Sequence, residues 1–256
     1  MSWRTFLDAS PVAQIALALM RDATGREEPL QPLMPVRPAA LPPERGVAFW
    51  SLTAGVGTST VAALVAHRSA SASRPPVLID LDRRVPTLGL RAQCAGATVA
   101  DALLRPGSEP GLLSRWGEVP FLPGTPELYR SFDGARIAEL IGRLHRDRAA
   151  ILDLGSGAES LDADVLGVID RLCLVVGPSV AQLQSAFCAV PFLEGCGMWI
   201  GIVVVGAESA DAERIAARLP WPLLAAIPRD PFLANDEFAT RSPTLRAVDA
   251  VIRGLR

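Results

Sequence analysis

Val47-Ala-Phe-Trp-Ser-Leu-Thr-Ala-Gly-Val-Gly-Thr-Ser-Thr-Val-Ala-Ala-Leu-Val-Ala-His67 is the stretch on which the reading of this chain turns. VAFWSL, residues 47–52, is a continuous apolar run of strand length, and VAALVAH, residues 61–67, has a helical composition. Between them lies a glycine turn that ends in hydroxyls. That order suits an anion: Gly55 and Gly57 let backbone N–H groups converge, and the following helix adds its positive end. The candidate ligand-binding residues of the turn are therefore Gly55, Val56, Gly57, Thr58, Ser59 and Thr60. Ser59 stands where a hydroxyl ligates Mg²⁺ in the phosphate-binding pattern G-x-x-x-x-G-K-[ST]. Against that pattern Leu52 replaces the first glycine and Thr58 replaces the lysine. Taken alone, the stretch is equally well a plain strand-to-helix turn.

Acidic strand ends downstream shift that balance. Pro76-Val-Leu-Ile-Asp80-Leu-Asp82 closes an apolar run with two carboxylates two residues apart. Side chains at that spacing on a strand share a face, so both are expected to look toward a metal and an attacking water. Ala150-Ile-Leu-Asp153-Leu-Gly155 is an apolar run leading to an aspartate, the layout that holds a magnesium-bound water. Asp80, Asp82 and Asp153 are the candidate catalytic carboxylates, with Ser59, Asp80 and Asp153 as the candidate metal set. A lone strand-end aspartate more often caps a turn; three of them after a glycine loop are harder to dismiss.

Working outward, short runs rich in Val, Ile and Leu recur at Val47–Leu52, Pro76–Asp80, Pro120–Leu122, Ala149–Asp153, Arg171–Val176, Ile200–Val205 and Leu223–Ile227. Helical patterns at Ser59–Arg68, Gly134–Arg146, Leu161–Ile169, Gln182–Leu193 and Ala210–Leu219 separate most of them. The alternation predicts an α/β fold with a mostly parallel, twisted sheet and helices on both faces. Residues 1–45 stand apart as a short helix, Ala9 to Met20, followed by a proline-rich linker from Pro29 to Pro43; residues 46–256 form the domain. Ser242–Arg256 is an amphipathic helix with Leu245, Val248, Ile252 and Leu255 on one side, expected to pack on the sheet rather than to lie on a membrane.

The 256 residues are half apolar, enough for a full core, and carry a formal charge of −2, which argues against broad attraction to nucleic acid or anionic lipid. Cys94, Cys173, Cys188 and Cys196 form no C-x-x-C pair and are expected to be reduced, buried thiols. No stretch resembles a secretory signal, and the expected location is cytoplasmic. The chain contains no lysine, so all 25 basic side chains are arginine.

With these residues in view, the chain resembles the MinD/ParA group of deviant-Walker P-loop ATPases, and within it the CpaE/TadZ-like branch associated with Flp/Tad pili and secretion loci. The likeness spans about residues 46–256. It rests on TAGVGTSTVAALVA, VLIDLDRRVPTLGL, TVADALLRPG, VPFLPG, AILDLGSGAESLDADVLGVIDRLCLVV and LAAIPRDP. It implies a three-layer P-loop NTPase fold of the SIMIBI type and a site for ATP or ADP with Mg²⁺, weak or absent here. It also implies Pro228 and Arg229 beside the base, a homodimer, partner proteins of a pilus or secretion apparatus, and peripheral membrane association through those partners; the acidic balance adds the expectation of no specific nucleic acid. The 45 residues before the domain are too few for the receiver-like domain of many relatives. The group's deviant lysine corresponds to Thr53 and its phosphate lysine to Thr58, and no lysine elsewhere replaces either; Arg83, Arg84 and Arg229 are the arginines expected near the site. A purine-contacting asparagine is also missing from Val203-Val-Val-Gly206.

Three functions follow as expectations. The first is a pseudo-ATPase or very slow ATPase that positions or scaffolds pilus or secretion machinery. The second is a working ATP-dependent dimerisation switch in which an arginine replaces lysine. The third is a DNA-segregation protein of the ParA type, disfavoured by the acidic balance.

Overall fold

The computed structural model describes residues 40–70, 74–128, 133–235 and 242–256. The expected helix at Ala9–Met20 and the prolines from Pro29 to Pro38 lie outside them. Residues 40–45, expected as the end of a linker, instead belong to the same folded unit as the domain that follows. Leu41 is buried, Arg45 N–H donates to the Pro42 carbonyl, and Arg256 Nε donates to the Ala40 carbonyl.

Eight strands form one sheet: β1 Gly46–Ser51, β2 Val77–Asp80, β3 Ser114–Trp116, β4 Val119–Leu122, β5 Ala150–Ser156, β6 Arg171–Val176, β7 Trp199–Val205 and β8 Leu223–Ile227, in the order β3-β4-β2-β5-β1-β6-β7-β8. Every neighbouring pair is parallel except β3 with β4. The interior strands are buried on both faces, which is why they read as unbroken apolar runs. The expected strands are all present. The strand that the sequence hides is β3, three residues of mixed polarity (Ser-Arg-Trp) joined to β4 by a two-residue turn at Gly117, whose φ of 58° suits glycine.

Nine helices cover the sheet among the described residues: α1 Thr58–Ser69, α2 Leu88–Arg91, α3 Val99–Leu104, α4 Glu109–Leu112, α5 Gly134–Leu144, α6 Ala163–Leu166, α7 Val180–Glu194, α8 Ser209–Ala216 and α9 Ser242–Gly254. Strand side chains alternate between two cores. Ala48, Trp50, Ile79 and Leu152 pack with α3, α5, α6, α7 and α8 on one face. Val47, Phe49, Leu78 and Ile151 pack with α1, α9 and Leu88 of α2 on the other. The result is a three-layer α/β/α sandwich.

Several expectations change in detail. The helix expected over Leu161–Ile169 is a single 3₁₀ turn at Ala158–Ser160 followed by the short α6, because Gly157 turns at φ 100° and Asp162 caps a new start through the Asp164 and Val165 amides. Only Cys173 among the four free cysteines is buried; Cys188 is exposed and Cys94 and Cys196 are half-buried, so the expectation of buried thiols holds at one position. The C-terminal helix does pack on the sheet: Val248, Val251, Ile252 and Leu255 are fully buried. A two-pronged ion pair from Arg68 to Asp249, at 2.7 and 2.8 Å, ties α9 to α1. His67 of α1 meets Trp116 edge-on at 4.9 Å, and partial burial pushes its imidazole down to about 4, toward the neutral form.

Candidate functional site

The glycine turn sits at the carboxyl end of the central strand β1, where ligands of such sheets bind. Gly55 and Gly57 both have positive φ, 80° and 96°, which a side chain would strain. A side chain at Gly55 would stand in open space, whereas one at Gly57 would come within 3.5 Å of Val205 on β7. Four helices of this fold start on a side-chain cap: Thr98, Asp133, Asp162 and Ser179 each accept an amide of the helix they precede. At α1 the cap position is Gly57, with no side chain to do this. Among the described residues, no carbonyl or side chain accepts the amides of Gly57 through Thr60. Four unsatisfied amides, those of the cap Gly57 and of Thr58, Ser59 and Thr60 in the first turn of a twelve-residue helix, form a candidate anion cradle behind two left-handed glycines.

Thr58, expected at the lysine position, is turned away from that cradle. Its side chain is buried, and its hydroxyl donates to Ser51 Oγ at 2.9 Å, which in turn donates to the Thr53 carbonyl at 2.9 Å. A lysine there would aim an ammonium at phosphate; the threonine closes a hydroxyl chain inside the base of the loop. Ser51 does not stand out in the sequence, and nothing but its place one residue before Leu52 could have marked it.

The carboxylates divide by environment. Asp80 on β2 is in register with Asp153 on β5, and strand alternation puts both on the α1 face. Both are completely buried. Asp80 is committed to the backbone: Oδ1 accepts the Asp82 amide at 3.1 Å and Oδ2 the Leu88 amide at 3.2 Å. Burial, then the nearby Asp153, pushes its carboxyl well above the usual range. Asp82 does not share a strand with Asp80 as expected, since β2 ends at Asp80. Its Oδ1 caps the Arg84 and Val85 amides, and its carboxylate lies so close to Gly155 that any side chain there would collide with it. Asp153 differs: Oδ1 accepts the Gly155 amide at 3.0 Å, while Oδ2 is buried with no geometrically sound hydrogen-bond partner. Burial pushes its carboxyl up to about 6, and the neighbouring Ser59 hydroxyl pulls the other way. Ser59 is thus near Asp153, yet not aligned to satisfy Oδ2.

That orphaned oxygen is the test for a metal. A buried acceptor beside a hydroxyl fits a hydrated divalent ion, with Ser59 as the direct ligand and Asp153 receiving a bound water. Asp80, expected as a third member, has both oxygens on backbone amides. Among the described residues, no three acidic, histidine or cysteine side chains form a metal cluster by themselves. Mg²⁺ does not require one, because it keeps several waters and takes phosphate oxygens.

Of the expected arginines, Arg83 and Arg84 both turn to Glu159 in the 3₁₀ turn after β5, Arg83 on its carbonyl and Arg84 on its carboxylate. Arg229 follows β8, its stem lying over Gly206 at the end of β7, so Pro228 and Arg229 border the strand end that Gly57 approaches. One arginine that the sequence does not mark reaches the start of α1: Arg91 of α2, whose Nη1 donates to Thr60 Oγ1 at 3.1 Å and whose charge holds down Asp153. Only the fold brings α2 to the start of α1, and no local pattern announces that.

Fold and loop together define a P-loop NTPase architecture, a mostly parallel eight-stranded sheet with the glycine turn after its central strand. Neither a protein-family model nor a curated protein sequence matches the chain. Solved structures do match. A ParA family ATPase from Chlorobium tepidum TLS superposes with a TM-score of 0.70 at 19% identity, covering 82% of this chain and 99% of that one. The septum site-determining protein MinD from Pyrococcus horikoshii OT3, complexed with Mg-ADP, superposes with a TM-score of 0.69 at 20% identity, covering 82% and 95%. MinD in the MinC:MinD cell division complex of Aquifex aeolicus gives 0.68 at 17%, covering 82% and 95%. At these identities the likeness is one of fold: the chain has the fold of the MinD and ParA ATPases. No helix among the described residues is long and apolar enough to cross a membrane.

Proposed function

We propose that this chain is a MinD/ParA-type positioning or scaffold protein that binds a magnesium nucleotide weakly and turns it over very slowly or not at all. The observation that carries the reading is Thr58: at the lysine position of an otherwise open phosphate cradle, its side chain is buried on Ser51. A phosphate-facing cation is worth roughly 10³–10⁵ in rate for phosphoryl transfer where it has been removed or supplied. With hydroxyls at both Thr53 and Thr58, the loop retains its amides for binding and lacks its ammonium groups for catalysis.

In this reading the amides of Gly55 to Thr60 take phosphate oxygens, and Pro228 and Arg229 flank the base. A magnesium ion, where bound, supplies charge neutralisation between phosphates. Ser59 would offer it a hydroxyl, and Asp153 would accept a hydrogen bond from a water that it carries. Asp80 and Asp82 hold the turn between β2 and α2 in shape. The motif order supports partners in a pilus or secretion apparatus, with a homodimer as the working unit. The MinC:MinD structure is a relative of this fold engaged by a protein partner, which supports a scaffold role.

The test pairs calorimetry with phosphate release on the full chain. Measurable Mg-ATP binding with phosphate release at background is the expected result. Robust magnesium-dependent release that disappears in S59A would overturn it.

A further inference from the structure

We propose that Arg91 is the phosphate-binding cation of this site, so that the charge lost from the loop at Thr53 and Thr58 is supplied from α2 to a nucleoside di- or triphosphate. This assignment rests on the nucleotide-binding reading above and names the residue that makes it electrostatically possible. A polyphosphate brings several negative charges to a place already walled by Asp80, Asp82 and Asp153, all buried. Close like charges with little water between them repel by several kcal/mol unless a cation intervenes. Amides and the end of α1 contribute only partial charges.

The chain has no lysine to supply, so the cation is an arginine. Arg83 and Arg84 are drawn to Glu159. Arg91 instead reaches the first turn of α1, with its Nη1 on the hydroxyl of Thr60, the residue after Ser59. A guanidinium carries five donors in a fork that matches phosphate, so one arginine can hold Thr60 and a phosphate oxygen together.

Arg91 is also held in place. Leu88 at the start of α2 is fully buried in the α1-side core, its amide is bound to Asp80 Oδ2, and the Arg91 amide donates to the Thr87 carbonyl. The buried, orphaned Oδ2 of Asp153 independently marks the same spot as one built for a cationic or hydrated ligand. Asp80 thereby acquires a purpose that its spent oxygens would otherwise deny it: it positions the helix that presents the cation.

Calorimetric titration of the full chain and of R91M with Mg-ADP and Mg-ATP, at low and at moderate salt, tests this. R91M is expected to bind about tenfold more weakly or worse, as loss of a charged hydrogen bond to phosphate implies, and with a flatter salt dependence. Its melting temperature without ligand is expected to stay near that of the natural chain. R91K, which keeps the charge, is expected to retain most of the affinity. Binding by R91M within twofold of the natural chain, at both salts, overturns the assignment while leaving the nucleotide reading intact. Absence of binding by the natural chain at millimolar nucleotide overturns both. R91Q, similar in length and uncharged, takes the place of R91M where that variant does not fold, with the same thresholds.

Discussion

Asp153 is a carboxyl that the fold holds at a cost, and the cost has a sign in pH. Its ordinary value of 3.8 rises to about 6 in the folded chain, so between those values the folded state binds a proton that the unfolded state has released. The stability tied to this group is therefore full below 3.8 and is lost as pH rises through 6. A shift of that size corresponds to about 1–3 kcal/mol for a buried group coupled to its neighbours. D153N, which keeps an acceptor for the Gly155 amide, is expected to be more stable than the natural chain at pH 8 by about that amount and nearly equal to it at pH 4. Urea unfolding at the two pH values measures it; a D153N chain that is less stable at pH 8 would mean that Asp153 is not a penalised charge. In the proposed reading the same side chain is the one that a nucleotide-bound magnesium would relieve, so that stability surrendered in the empty fold would be recovered on binding.

At the scale of elements, α1 has to satisfy two demands. Its N-terminus is left uncapped for an anion, and its body is buried between the sheet and α9, with Val61 through Ala66 all in the core. A helix without a cap loses about 1 kcal/mol, so its position depends on what holds its far end. That hold is the Arg68–Asp249 pair, bidentate at 2.7 and 2.8 Å, with Asp249 buried. Removing the arginine leaves a buried carboxylate without its partner. R68A is expected to cost about 2–4 kcal/mol, or a fall of about 4–16 °C in melting temperature at about 2–4 °C per kcal/mol for a chain near this size. The double variant R68M/D249L, which replaces the pair with apolar side chains of similar bulk, is expected to recover at least half of that loss. Calorimetric melting of the three chains decides it. A drop in R68A of under 2 °C would show that packing of Val248, Val251 and Ile252 alone seats α9.

For the whole molecule, the architecture was readable because a doubly covered parallel sheet writes itself as apolar runs separated by helices. The seven runs fell on seven of the eight strands, and β3 escaped because three mixed residues carry no period. The candidate turn was also readable, since a glycine turn after the first strand can be found without knowing the fold, and the structure sets it at the carboxyl end of the central strand. The readable part ended at the direction of side chains. Asp82 proved to lie past its strand, Asp80 to be occupied by amides, and Arg83 and Arg84 to be pulled to Glu159. Arg91 and Ser51 became relevant only through contacts between segments far apart in sequence or folded back upon themselves. Those contacts also bear on association. A ligand shifts an equilibrium between monomer and dimer only through a difference in its affinity for the two. A cation of one copy reaching the ligand of the other would supply such a difference, and Thr53, the position expected to carry it, is uncharged. Arg91, bound to Thr60 of its own chain, neutralises phosphate within one copy and gives the dimer no added grip. The dimer fraction in sedimentation velocity is therefore expected to change by less than about twofold between nucleotide-free chain and chain saturated with Mg-ATP. T53K, which restores the cation, is expected to make the fraction depend on nucleotide. A natural chain that dimerises only with Mg-ATP would show that some other group crosses the interface, and the scaffold reading would give way to that of a working switch.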